Sequence, residues 1–133
     1  MSDNGLVTLP SRFSVRETID RLAEKVTSLG LKVFARVDHA AGAEQVGLAL
    51  RPTELLIFGN PKGGTPLMQD QQSAGIDLPV KALAYEDAQG KTWLAYNDAA
   101  WIARRHELGA LSADAIKAIA AGMAAVARHA TEG

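Results

Sequence analysis

Cysteine is absent from all 133 residues. That excludes disulfides, thiolate nucleophiles and cysteine-based zinc or iron–sulfur sites, and it fits a reducing compartment. No apolar run approaches the roughly 20 residues that span a bilayer. The opening residues, MSDNGLVTLP, lack the charged-then-apolar pattern of a secretion signal. Neither charge sign dominates, with 14 Lys and Arg against 15 Asp and Glu. Nothing basic enough for nucleic acid or an anionic membrane surface is present. The expectation from these absences is a cytoplasmic protein with no nucleic-acid partner and no membrane partner.

What is there suits one folded domain over residues 1–133, with 47% apolar and 22% charged residues. Leu6 to Leu9 reads as a short strand ended by Pro10. Ser14 and Glu17 have capping-box spacing, and Val15, Ile19, Leu22, Val26 and Leu29 share one helical face up to Gly30. Leu31 to Val37 alternates, with Leu31, Val33, Ala35 and Val37 assigned to one face. A short helix follows Asp38-His39. Val80–Tyr85 and Thr92–Tyr96 read as an antiparallel hairpin. Asp98 and Ser112 are placed to cap two C-terminal helices, the last rich in alanine. The order is β-α-β-(α)-β-α-β-β-α-α, an α+β (mixed α/β) domain with helices packed on a mixed sheet.

LLIFGNPKGGTP, Leu55 to Pro66, is the segment with most to say about a site. An apolar strand stops at Gly59-Asn60-Pro61 and delivers a polar loop, with a helix expected to start at Thr65-Pro66. Gly59 to Gly64 has the G-x-x-x-x-G spacing of a phosphate loop. The Lys and Ser/Thr that must follow are replaced by Thr65 and Pro66, so a nucleoside triphosphatase is rejected. A weaker reading has amides at Gly63 and Gly64, with Lys62 and Asn60, holding a small anion.

Other candidates are scattered. Asp38 and His39 form a carboxylate–imidazole pair suited to acid–base chemistry if the chain turns there. His106 follows Arg104-Arg105 near a helix end, where a cation suits the helix dipole. Lys81 and Tyr96 lie on the hairpin, as an anion anchor and a hydroxyl for a pocket, or as a solvated charge and a packed ring. His39 and His106 have no zinc-ligand spacing, so no metal and no cofactor are expected. The serines at 14, 28, 73 and 112 fall at caps or loops, and no Ser-His-Asp arrangement is legible.

The phrases FSVRETIDRLAEKVTSLGLKVFARVDHAAGA, LLIFGNPKGGTPLM, GIDLPVKALAYED, TWLAYND and ARRHEL occur in this order. In order and spacing the chain resembles the domain of unknown function 302 family of small bacterial and archaeal proteins, from about Phe13 to Leu111. The alanine-rich tail, 112–130, lies outside that stretch. The resemblance implies a compact α/β sandwich that pairs into homodimers, and it implies no agreed activity. The resulting expectation is an uncharacterised cytosolic homodimer that binds a small polar or anionic ligand. Its ligand contacts would be Gly59, Asn60, Lys62, Gly63, Gly64, Lys81, Tyr96 and His106. Two alternatives stand beside it. One is a cofactor-independent enzyme using Asp38 and His39. The other is an association module with no ligand.

Overall fold

The structure, a computed structural model, describes residues 4–133. The elements are β1 (Leu6–Pro10), α1 (Val15–Ser28), β2 (Lys32–Asp38), α2 (His39–Gln45), β3 (Thr53–Gly59), α3 (Pro61–Asp70), β4 (Val80–Glu86), β5 (Thr92–Asn97), α4 (Ala99–Arg105) and α5 (Ala113–Glu132). A six-residue 3-10 turn, Gln72–Asp77, links α3 to β4. The expected α+β architecture and element order are therefore present. One part of the expectation changes: the sheet is antiparallel throughout, in the order β1-β5-β4-β3-β2. α2 and α3 sit at strand ends, so the chain doubles back there instead of crossing over the sheet to a parallel neighbour.

Local chemistry starts and stops these elements as the residue types require. The Ser14 hydroxyl accepts from the Glu17 amide at the start of α1, and Gly30 takes the left-handed φ of 78° just past its end. Asp98 caps α4 through the Ala100 amide. In the hairpin loop the Asp87 carboxylate accepts from the amides of Gln89 and Lys91 and from the Trp93 indole. Ser112 behaves differently from expectation. It makes no side-chain cap for α5, because its hydroxyl donates to Asp70.

One face of the sheet carries the core. Leu56 and Phe58 of β3, Ala82 and Ala84 of β4 and Leu94 of β5 pack under Ile19, Leu22 and Val26 of α1 and Met123, Val126 and Ala130 of α5. The alternation assigned to β2 fails midway. Val33 pairs with Phe58 but Ala35 pairs with Ile57, so Phe34 is an extra residue, a β-bulge. Beyond it the faces exchange. Ala35 and Val37 turn away from the helices, and Arg36 turns toward α1. There its guanidinium donates to Glu54 at 2.9 Å and to Asp20 at 2.7 Å.

Glu54 is only 7% exposed, and Arg36 is its counter-charge. Arg36→Met should therefore lower the unfolding free energy by about 1–3 kcal/mol, below the full cost for a buried pair because Arg36 is partly solvated. Asp20→Ala, at an exposed partner, should cost about 0.2–1 kcal/mol. Urea denaturation midpoints of the two variants check the order.

Candidate functional site

The segment from Leu55 to Pro66 folds differently from its sequence reading. α3 begins at Pro61 with Asn60 as its cap, five residues before the expected start at Pro66 with Thr65 as cap. Asn60 accepts from the Lys62 amide through its side-chain oxygen, at 3.0 Å. Its carbonyl accepts from the amides of Gly63 and Gly64. Pro61 takes the first helical position, where a missing N–H costs nothing. Pro66 lies inside the helix. The amides offered as an anion cradle are thus consumed as the first turn of α3. Lys62 is exposed on that turn.

The remaining candidates do not meet in one place, although Gly59, Asn60, Gly63 and Gly64 share one cavity and Lys81 and Tyr96 another. Asp38 caps α2 through the Ala41 amide and borders an open hollow of about 870 Å³ with Glu44, Glu54 and Glu86. His39 is the exposed first residue of α2. Gly59 and Asn60 border a second cavity of about 410 Å³. Lys81 and Tyr96 border a third hollow, about 540 Å³. The Lys81 ammonium donates to the backbone carbonyls of Pro79 and Asp77. Burial lowers its pKa, and the charge on Asp77 opposes that shift. Tyr96 packs against the core, and burial, then the charge on Asp98, raises its phenol. Among the described residues no group of three or more His, Asp or Glu is placed to hold a metal ion.

His106 sits in the densest polar cluster. Its Nε2 lies 2.6 Å from Asp77 Oδ2 and its Nδ1 lies 2.9 Å from Ser73 Oγ. Arg105 Nη1 donates to both oxygens of the same carboxylate, at 3.0 and 3.2 Å. Arg105 also lies over the Trp101 ring. So Ser73, His106 and Asp77 do form a hydrogen-bonded chain, which the sequence reading did not find. Ser73 and Asp77 share the 72–77 turn, but His106 comes from the end of α4, and no fixed spacing joins it to them. Arg105 neutralises the carboxylate, and Ser73 borders none of the three cavities. The arrangement is a clasp joining the 72–77 turn to the end of α4. Asp70 makes a second clasp nearby, accepting from the Gly109 amide and the Ser112 hydroxyl.

With this geometry in view, the comparisons with known proteins define the class. The chain belongs to the family described as domain of unknown function DUF302, whose family model matches residues 7–126. That range takes in most of α5. The fold agrees with the crystal structure of an uncharacterised conserved DUF302 protein from Bacillus stearothermophilus. The TM-score is 0.83 at 21% identity, covering 96% of this chain and 98% of that one.

Particular relatives then change the functional reading. The chain is 58% identical over 128 residues to a protein of Brucella suis named fluoride-specific ion channel FluC 1, covering 96% of this chain and 50% of that protein. Proteins of Brucella abortus and Brucella melitensis, named FluC 1 and FluC 2, match at the same identity with 47% of their length covered. The chain thus spans about half the length of the curated relatives it matches. These names overturn the expectation of a cytosolic binding module, and with it the cytoplasmic location and the absence of a membrane partner. The lack of a continuous apolar run does not describe α5 fully. Within Ala110–Glu132 an 18-residue window reaches a mean hydropathy of 1.5, through alanine more than through a continuous Leu/Ile run. By length and composition that segment is long and apolar enough to cross a membrane, although 22% of its apolar window is buried inside the structure.

Two predictions follow from the clasps. His106→Ala leaves the buried Asp77 carboxylate with one side-chain partner and should cost about 1–3 kcal/mol of stability, while Ser73→Ala, at an exposed hydroxyl, should cost about 0.5 kcal/mol or less. Thermal melts compare them. The Asp70 carboxyl is held below its ordinary value of 3.8 by the Ser112 hydroxyl and then the Gly109 amide. A depressed folded-state pKa means that the unfolded chain takes up the proton first. The stability from these bonds is therefore full above that ordinary value and is lost as pH falls through the folded-state pKa. Asp70→Asn should remove this part of the acid sensitivity, flattening the melting temperature below about pH 4.

Proposed function

We propose that this chain serves a fluoride-specific ion channel at the membrane, as a DUF302 domain that does not itself form the ion path. The observation that carries the reading is the 58% identity across 96% of this chain to relatives so named, of which the chain spans only about half. In this reading the pore belongs to the half of those proteins that this chain does not match. The architecture supports that division. The core is built from an antiparallel sheet covered by α1 and α5. The one described helix long and apolar enough for a membrane contributes Met123, Val126, Ala127 and Ala130 to that core. Withdrawing those side chains into lipid would uncover Leu56, Phe58 and Leu94. Each fully uncovered side chain of this size costs on the order of 1.5–3 kcal/mol.

The test has two arms. In cells of its own host, the chain is expected in the membrane fraction. Purified and reconstituted in liposomes by itself, it is expected to release no fluoride above protein-free vesicles, measured with a fluoride electrode. Recovery only in the soluble fraction would overturn the association with a channel. Fluoride release by the chain alone would overturn the assignment of the pore elsewhere.

A further inference from the structure

The cavity of about 410 Å³ lies where β3 runs into α3 and α5 passes overhead. Phe58 and Met123, both almost fully buried, form its floor. Met68, Leu78, Val80 and Ile119 contribute apolar walls. No charged side chain borders it, and the polar side chains that do are Asn60 and Thr65 at the rim. The Asn60 oxygen is already committed to the Lys62 amide. The size falls within the range of small-molecule sites, and so does the ratio of many apolar groups to few polar ones.

Two glycines keep this space open. Gly122 interrupts an alanine-rich helix of 20 residues, although glycine destabilises a helix interior more than any residue except proline. A Cβ at Gly122 would meet no atom within 4 Å, and the same holds for Gly63 on α3 across the cavity. Neither glycine has a left-handed φ, so backbone strain does not require it. Both border the cavity. A side chain at either position would occupy the void and improve the helix, so local stability does not account for these glycines.

We infer that this cavity is a binding site for a neutral, single-chain apolar molecule with one hydrogen-bonding head group. A cavity of ~150 Å³ lined by apolar side chains stays dry and takes up benzene, so ~400 Å³ suits an occupant on the order of ten to fifteen carbon atoms. The chain of the ligand would lie along Phe58, Met68 and Met123, and the head would meet Asn60 and Thr65 at the mouth. A charged head is disfavoured, because no lining residue carries a compensating charge. The inference rests on the cavity and not on the channel reading.

The experiment labels the methionine methyl groups with ¹³C and titrates the protein with n-decanol and, separately, with decanoate at neutral pH. The expected result is a saturable shift of the Met68 and Met123 methyl resonances with n-decanol, at least tenfold weaker with decanoate. Gly122→Leu, which fills the cavity from α5, should abolish the decanol shift while the melting temperature is unchanged or raised. Gly63→Leu fills it from the opposite wall and serves the same purpose should Gly122→Leu fail to fold. Absence of a saturable shift in the wild type would overturn the site. An undiminished shift in a folded filled variant would overturn its location. Equal binding of decanoate would overturn the neutral ligand class.

Discussion

The inner face of β4 is built from Ala82 and Ala84, and much of the structure depends on that smallness. Both are almost fully buried between Leu56 and Phe58 on one neighbouring strand and Leu94 on the other. Small side chains along this central strand let α1 settle across β3, β4 and β5 with Ile19 and Leu22 fully buried. α5 then packs beside α1, bringing Met123, Val126 and Ala130 into the same core. Close packing of this kind makes added volume costly. Larger residues at Ala82 or Ala84 would push against both long helices.

From that arrangement follow the features at the edge of the core. α5 reaches past the sheet toward α3, and the space left between them is the cavity beneath Gly63 and Gly122. The α3 segment and the 72–77 turn rest on few buried apolar side chains, namely Leu67 and Ala74. Two aspartates hold this unit instead, Asp70 to Gly109 and Ser112, and Asp77 to Arg105 and His106. The polar clasps do for this edge what apolar burial does for the centre. Asp77 and His106 belong to the DLPVK and RHEL phrases that marked the family resemblance. Their meeting gives those phrases a structural meaning that holds whatever the activity.

The relatives named as fluoride channels and the chain's own sheet core fit together if the chain is one part of a larger membrane system. The covered antiparallel sheet takes one stripe of α5, Met123, Val126, Ala127 and Ala130, into the core, while most of the helix's apolar window stays outside it. The reading as a cytosolic binder failed for a simple reason. Balanced charge and the lack of a continuous apolar run describe the residues of this chain, and they carry no information about the longer proteins that it matches.

The sequence by itself determined the element order, the caps at Ser14 and Asp98, the hairpin and the family. Each of these depends on residues close in the chain, through helical or strand periodicity and short-range hydrogen bonds. The bulge at Phe34 was not legible, because it is defined only by pairing with β3, and it reverses the face of every later β2 residue. Asn60 was read as a ligand contact, and its role as a helix cap depended on where α3 begins. Only the tertiary structure decided the site. It dispersed Asp38, Asn60, Lys81 and His106 among separate places, and it joined Ser73 and Asp77 of the 72–77 turn to His106 at the end of α4. It also opened a cavity between two glycines some sixty residues apart. Contacts across such separations arise from how helices pack on the sheet, and no local pattern in the chain records them.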